Sequence, residues 1–285
     1  MELPSSLQAW LARTGWGAVT HHHTLSGGSI NTVLRLTTQH GPPLVLKFNP
    51  TPPPDFFQRE VEGLQALASV PGAPRIPQIY ASDRRWLLLE YLPPIKIKTG
   101  FYNRLGEELA RLHQHTQSQF GFPHDNYIGL TPQPNGWIND GYVFFAERRL
   151  RFQARLARDN NLFSTSDVQQ IERLIQRLPQ LVPAQPASLI HGDLWSGNVI
   201  AGPQGEPVLV DPAAHYGWAE AELAMTSLFG GFSRAFYDAY AAAADLAPGW
   251  PERLPLYNLY HLMNHLNLFG RSYYSQIVAT LRRFA

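Results

Sequence analysis

Apolar and polar positions alternate in two different ways along this chain, and the change falls near residue 93. Before it, short apolar runs dominate. Residues 25–36 read as two strands joined by a glycine-rich turn, and residues 44–48 (Leu-Val-Leu-Lys-Phe) as a third strand. Residues 76–80 and 86–92 read as two more, closed by Pro93-Pro94. One strong helix interrupts them. Over residues 55–67, after a run of three prolines, Phe57, Val61, Leu64 and Leu67 form an apolar stripe at helical spacing. A shorter helix over residues 4–11 is expected to start at Ser5 or Ser6, hydroxyl residues suited to an N-cap.

After residue 93 the period becomes helical. Residues 102–116 carry Leu105, Leu109 and Leu112, and helices are expected from residue 141 to about residue 160 and over 167–178. Residues 121–137, rich in Gly, Pro and Asn, read as a long loop, a length that more often signals function than slack. Residues 189–200 read as strand, polar loop and strand, and residues 207–210 as a further apolar run. The last quarter is helical and aromatic, broken at Phe229-Gly230-Gly231-Phe232. It closes on residues 256–269, with Leu259, Leu262, Leu266 and Phe269 as the expected buried stripe. The pattern predicts an α+β protein in two lobes, a β-sheet lobe with one main helix over residues 1–93 and a larger, mostly helical lobe over residues 94–285.

Composition narrows the classes. Hydrophobic residues make up 44% of 285 positions and charged residues 16%, enough to bury a sizeable core. A net charge of +1 argues against bulk electrostatic binding to nucleic acid or anionic membrane. There are no cysteines, which excludes disulfides, thiolate metal sites and a cysteine nucleophile. The first residues form no basic, apolar leader, and no apolar run approaches the ~18 residues of a membrane span. A cytoplasmic monomer is the expectation. His21-His22-His23 is not a metal site on this reading, because neighbours on a strand point to opposite faces.

The chemistry concentrates in His191-Gly192-Asp193-Leu194-Trp195-Ser196-Gly197-Asn198. An Asp followed five positions later by an Asn, with another Asp (Asp211) after the next apolar run, has the form of a kinase catalytic loop. There the first Asp takes the acceptor's proton, and the Asn and second Asp hold metal. The alternative is a solvated turn built from turn-forming residues. Lys47, a lone cation in an apolar strand, fits the phosphate-pairing lysine of a third strand, or else an edge or surface lysine. Its partner on the following helix is expected to be Glu60, which can turn inward beside Val61, rather than Glu62. Gly27, Gly28 and Ser29 are suited to bring backbone N–H groups close to phosphates. By order along the chain, the backbone of Glu90, Tyr91 and Leu92 would meet an adenine. His261 and His265, four apart on one helix face, are either core histidines or cleft residues that hydrogen-bond a polyhydroxy acceptor.

Nearly the whole chain resembles the fructosamine kinase (ketosamine-3-kinase) family, a branch of the kinase-like phosphotransferases that also includes aminoglycoside and choline kinases. The resemblance is carried by Gly27-Gly28-Ser29-Ile30-Asn31, by Asn126-Tyr127-Ile128-Gly129 with Thr131-Pro132-Gln133-Pro134-Asn135, and by Glu147-Arg148-Arg149. It continues through the His191–Asn198 loop, Asp211-Pro212-Ala213, Leu228-Phe229-Gly230-Gly231-Phe232, and the stretch from Tyr260-His261 to Phe269-Gly270. Trp195-Ser196-Gly197 and the Pro-Gln-Pro-Asn loop are the most specific to this branch.

The resemblance implies a two-lobed protein-kinase-like fold. It implies ATP- and Mg²⁺-dependent phosphorylation of the 3-hydroxyl of ketosamines, free or on protein lysines, after which the adduct falls apart and the amine is restored. By the same resemblance Lys47 would hold the α and β phosphates with Glu60 fixing it, and Asn198 and Asp211 would hold Mg²⁺. Asp193 would be the base, and Trp195 would offer a face to the sugar. The chain departs from the family at Gly141 and Tyr142, where a Trp is common, and at Ala219 and Glu222, where Arg and Asp are common. Ser29 replaces the cysteine that links some members through disulfides. Aminoglycoside- or choline-type kinases would want acidic or acidic and aromatic clefts. A kinase-like binding module would have lost one of Lys47, Asp193, Asn198 or Asp211, and all four are present.

Overall fold

A computed structural model describes residues 3–25 and 30–285. The phosphate-loop expectation at Gly27, Gly28 and Ser29 therefore lies outside the described residues. The N-terminal part is a five-stranded antiparallel sheet in the order β1-β2-β3-β5-β4. Its elements are α1 (Ser5–Arg13), β1 (Val19–Thr24), β2 (Thr32–Thr38), β3 (Leu44–Phe48), α2 (Phe56–Ala68), β4 (Ile79–Asp83) and β5 (Trp86–Glu90). Because side chains alternate across a strand, the sheet has two distinct faces. Leu34, Leu36, Leu44, Leu46, Trp86 and Leu88 pack against Leu7 and Leu11 of α1. Val45, Leu87 and Leu89 pack on the other face, against Phe56, Phe57 and Leu64 of α2. Lys47 shares the parity of Val45, so the register aims it at α2.

Two expectations shift here. No serine caps α1. Pro4 occupies the cap position without a side-chain bond, and Ser6 Oγ instead accepts from Trp86 Nε1 at 2.9 Å. The strand expected from residue 76 begins at Ile79, since Pro77 has no N–H to give the ladder. The preceding backbone pairs elsewhere: Arg75 N donates to Pro207 O at 3.1 Å, and Leu209 N donates to Arg75 O at 2.9 Å. The sheet part is thus stitched to the helical part through main chain.

The helical part contains α3 (Phe101–His113), β6 (Thr116–Gln117), β7 (Asn126–Ile128), β8 (Thr131–Gln133) and α4 (Gly141–Phe144). A π-helical stretch, Phe145–Arg151, leads into α5 (Phe152–Asp159), followed by α6 (Thr165–Leu181). Then come β9 (Ala187–Ile190), a 3₁₀ turn over Ser196–Asn198, β10 (Val199–Ala201), β11 (Pro207–Leu209) and β12 (His215–Gly217). The chain ends with α7 (Ala219–Leu228), α8 (Arg234–Ala243), α9 (Trp250–Phe269), a 3₁₀ turn over Arg271–Tyr273, and α10 (Tyr274–Phe284). No helix among the described residues is long and apolar enough to cross a membrane.

The stretch expected as a long loop, residues 121–137, contains the β7–β8 hairpin and is pinned at its base. Phe120 and Ile138 exchange backbone bonds of 2.8 and 2.9 Å, and Gly121 pairs with Tyr216 of β12. At the far end of the chain, Leu259, Leu262 and Leu266 are buried as expected, but Phe269 is 52% exposed. It falls on the last turn of α9, beyond the packed core and at the rim of the central cleft.

The helical core has one very close backbone approach. A Cβ at Gly106 in α3 would lie 2.4 Å from Phe236 O and 2.9 Å from Tyr240 N of α8. Backbone cannot yield as a flexible side chain can. Gly106→Ala is therefore expected to destabilise the protein by ~1–3 kcal/mol, read as a lower urea midpoint with unchanged slope.

Candidate active site

Between the sheet and the helical part lies a cleft of about 500 Å³. Val33, Lys47 and Glu60 line it from the sheet side, and Asp193, Trp195, Asn198 and Asp211 from the helical side. Phe229, His265, Phe269 and Tyr273 close one end.

Lys47 is the meeting point. Its Nζ donates to Glu60 Oε1 at 2.5 Å and to Asp211 Oδ1 at 2.8 Å. Burial pulls the ammonium pKa down, but Asp211 and Glu60 outweigh it and hold the value above that of an ordinary lysine. Lys47 is thus a fixed cation. Glu62 pairs with Arg59 and His124 instead, as its place away from the stripe implies. Asp211 has φ +58°, a left-handed backbone that is uncommon outside glycine and is found where structure over-determines it.

The Asp193 loop is held from behind. Glu222 on α7, 1% exposed, accepts from the backbone N–H of both His191 and Gly192. The His191 ring is fixed as well. Nε2–H donates to Val210 O at 2.8 Å, which leaves Nδ1 to accept from Asp193 N at 3.3 Å. Gly192 has φ +82°, and a Cβ there would sit 2.2 Å from Ala213 O, so only glycine fits. Asn198 Nδ2 donates to Asp193 O at 2.8 Å. The amide therefore turns its oxygen outward, and Oδ1 receives no bond from the described residues. Burial, then the charges of Asp211 and Glu222, push the Asp193 carboxyl up to about 7.

Four site residues carried no role in the sequence reading. Asn126, Gln133 and Asn135, all buried, form an amide network under the β7–β8 hairpin. Asn126 Nδ2 donates to Ala214 O at 2.9 Å and Gln133 Nε2 to Ala213 O at 3.0 Å, so the hairpin is clamped onto the backbone just after Asp211. Arg149, within the π-helical stretch, donates to Pro134 O and Asn135 Oδ1 at 2.7 and 2.8 Å and lies over the Phe144 ring. The Pro-Gln-Pro-Asn motif was the signal that marked this place.

The remaining expected site residues divide. Trp195 is 36% exposed at the cleft, not core. His265 lines the cleft, but His261 does not. It faces a small separate cavity behind the Asp193 loop, beside Arg149, His215 and Tyr260, where burial drives its imidazole down to about 3. Glu90, Tyr91 and Leu92 are not cleft-lining side chains. The Glu90 carboxylate takes Arg75 at 2.6 Å, and its N–H donates to Gln78 O. Leu92 is buried. The Tyr91 ring carries the Arg35 guanidinium.

Asp211 and Asn198 offer carboxylate and amide oxygens, the hard donors a magnesium ion takes. No group of three or more His, Asp or Glu among the described residues could hold a metal unaided. The donor set thus fits an ion that completes its shell with water and phosphate oxygens.

The model of the family described as fructosamine kinase matches residues 5–285. The chain belongs to that family. A protein of Enterococcus faecium named a probable ketoamine kinase is 41% identical over 264 residues, covering 90% of this chain and 93% of its own. The chloroplastic protein-ribulosamine 3-kinase of Arabidopsis thaliana is 35% identical over 287 residues, covering 96% and 86%. A solved structure from Thermobifida fusca named for fructosamine-3-kinase superposes with a TM-score of 0.89 at 33% identity, covering 98% of each chain. The two-lobed architecture of this fructosamine kinase family chain is accordingly kinase-like.

The raised Asp193 pKa has a consequence for stability. Unfolded, this carboxyl ionises near 4; folded, it keeps its proton to about 7. Between those values folding takes up a proton, so this group's contribution falls as pH rises. Above pH 7 the carboxylate is ionised in both states and sits less favourably in the fold. Asp193→Asn should therefore melt higher than the parent at pH 8, by on the order of 1–3 kcal/mol of stability, with the difference vanishing near pH 4.

Proposed function

We propose that this chain phosphorylates the 3-hydroxyl of ketosamines with ATP, and that the product's breakdown restores the amine, a deglycation role. The observation that carries the reading is one cleft holding a fixed cation bonded to Asp211, with a carboxyl poised at about 7 on the neighbouring loop. The names of the relatives, ketoamine kinase and protein-ribulosamine 3-kinase, support the acceptor class. Free ketosamines or glycated protein lysines are the proposed partners, and a cytoplasmic monomer the proposed form.

Phosphoryl transfer asks a protein mainly for positioning and charge. Lys47 would pair with the α and β phosphates, kept charged and in place by Glu60. The adenine would lie against the backbone of Glu90, Tyr91 and Leu92; the Glu90 N–H is already engaged, so the N–H groups offered to it are those of Tyr91 and Leu92. Asn198 Oδ1 and the Asp211 carboxylate would hold Mg²⁺, which when bound neutralises charge on the phosphates. Asp193 orients the 3-hydroxyl and takes its proton as the oxygen bonds the γ-phosphorus and ADP departs. A base with a pKa near 7 is half ionised at neutral pH, the balance general-base chemistry favours. Trp195, exposed two residues on, would cover one face of the sugar. The acids lining the cleft, Glu60, Asp193 and Asp211, all serve the transfer end. A polycationic aminoglycoside would find no further carboxylates there among the described residues.

The test is ADP release with ATP and Mg²⁺ on fructoselysine, ribuloselysine, kanamycin and choline, with the phosphate located by NMR. Turnover on ketosamines at C3 is expected; turnover confined to kanamycin or choline would sink the proposal. Asp193→Asn should bind ATP nearly as well and lose at least ~10²-fold in kcat. The carboxylate must be ionised to act. In the parent kcat/KM should therefore fall on acidification as Asp193 takes up its proton, with a midpoint below that of the metal-free protein because Mg²⁺ offsets the Asp211 charge that helps raise it.

A further inference from the structure

The part of the cleft lined by His265 has its own chemistry. His265 sits there on α9, with Nδ1 2.8 Å from the carbonyl oxygen of His261 one turn earlier. A carbonyl only accepts, so Nδ1 carries the hydrogen and Nε2 keeps its lone pair. Burial lowers the imidazole pKa against the modest pull of that carbonyl, so the ring is neutral at pH 7. Nε2 receives no bond from the described residues, and the side chain lines the cleft.

Aromatic rings crowd this acceptor. Phe229, Tyr273 and Phe269 have ring centroids 4.8, 5.1 and 5.5 Å from the imidazole, and Trp195 meets Phe229 at 6.2 Å. Among the described residues the carboxylates that line the cleft are Glu60, Asp193 and Asp211, each with a role at the transfer end. Two kinds of donor could meet Nε2, a sugar hydroxyl or an ammonium N–H. The hydroxyl would gain the hydrogen bond alone. A cation would gain both the bond and the attraction of the ring faces, and needs no counter-charge to be held.

We propose that His265, with Phe229, Phe269 and Tyr273, binds the secondary ammonium of the acceptor, so that this end of the cleft selects amine-bearing sugars. The assignment rests on the ketosamine reading. In a ketosamine the amine lies two carbons from the 3-hydroxyl, and Asp193, Trp195 and His265 all line the same cleft. It gives the site a means of telling a glycated amine from a free sugar without a carboxylate.

The experiment compares fructoselysine with 1-deoxyfructose, which keeps the hydroxyls and lacks the amine, the latter measured as acceptor or as competitive inhibitor. The proteins are the parent, His265→Phe, which keeps ring bulk without the lone pair, and His265→Gln, which restores an acceptor. His265→Phe should lose at least tenfold more in kcat/KM for fructoselysine than it loses in kcat/KM or affinity for 1-deoxyfructose, mainly through KM. His265→Gln should recover part of that selectivity. Equal losses on both compounds, or none, would overturn the assignment. If His265→Phe does not fold, as judged by its melting curve, Phe269→Ala at the exposed rim makes the same comparison, with a selective loss of about threefold expected. A parent inactive on every ketosamine overturns the functional reading and this inference with it. A parent active on ketosamines with unselective variants overturns this inference alone.

Discussion

A buried ammonium must be paired, and Lys47 is paired twice. Its bonds to Glu60 and Asp211 join three separate pieces of structure: strand β3, helix α2 and the segment after β11. Removing both partners would leave the ammonium unpaired away from water, a cost of several kcal/mol. The arrangement therefore disciplines the fold around it. The register of β3 must aim Lys47 at α2, α2 must turn Glu60 inward from the edge of its apolar stripe, and the chain after β11 must accept a left-handed residue to present Asp211. The main-chain pairing of Arg75 with β11 runs behind this junction and closes the same two parts.

The opposite wall of the cleft solves a different problem, how to hold a polar loop still. The Asp193 loop cannot use a strand ladder where it leaves β9, so its backbone donors need other acceptors. Glu222 supplies two, from a helix about thirty residues downstream, and His191 spans to Val210. The amide network of Asn126, Gln133 and Asn135 does the same for the Ala213-Ala214 backbone. Glu222, His191, Asn126, Gln133 and Asn135 are all buried, where an unpaired group is costly and a paired one is rigid. Positioning is most of what phosphoryl transfer requires, so this rigidity is where the structure meets the chemistry.

What could be read from the sequence follows the range of the forces involved. The strands and main helices were legible because period reports burial, and the meeting of Lys47, Glu60, Asp193, Asn198 and Asp211 at one cleft because their order and spacing match a kinase catalytic loop and its third-strand lysine. The β7–β8 hairpin was not legible, since side-chain amides rather than alternating apolar positions hold it. The brace from Glu222 was invisible for the same reason: it acts on backbone far away in sequence. Phe269 obeyed the helical period but fell past the end of the core. His261 and His265 share a helix face in sequence, yet one turn of α9 separates an internal cavity from the cleft.

The departures at residues 141 and 218–222 become intelligible as packing. A Cβ at Gly141 would lie 2.6 Å from Phe120 Cζ and 2.7 Å from Trp218 Nε1, so no side chain fits at a position near which the family often places a Trp. Trp218 fills that volume instead, against Phe120, Tyr142, Phe145 and Tyr257. Ala219, where an Arg is common, leaves the adjacent Glu220 to pair with Arg253 and Tyr257. Glu222 is one methylene longer than the Asp common there, and it still reaches both loop N–H groups. Glu222 thus holds the backbone of His191 and Gly192, from which the loop presents Asp193.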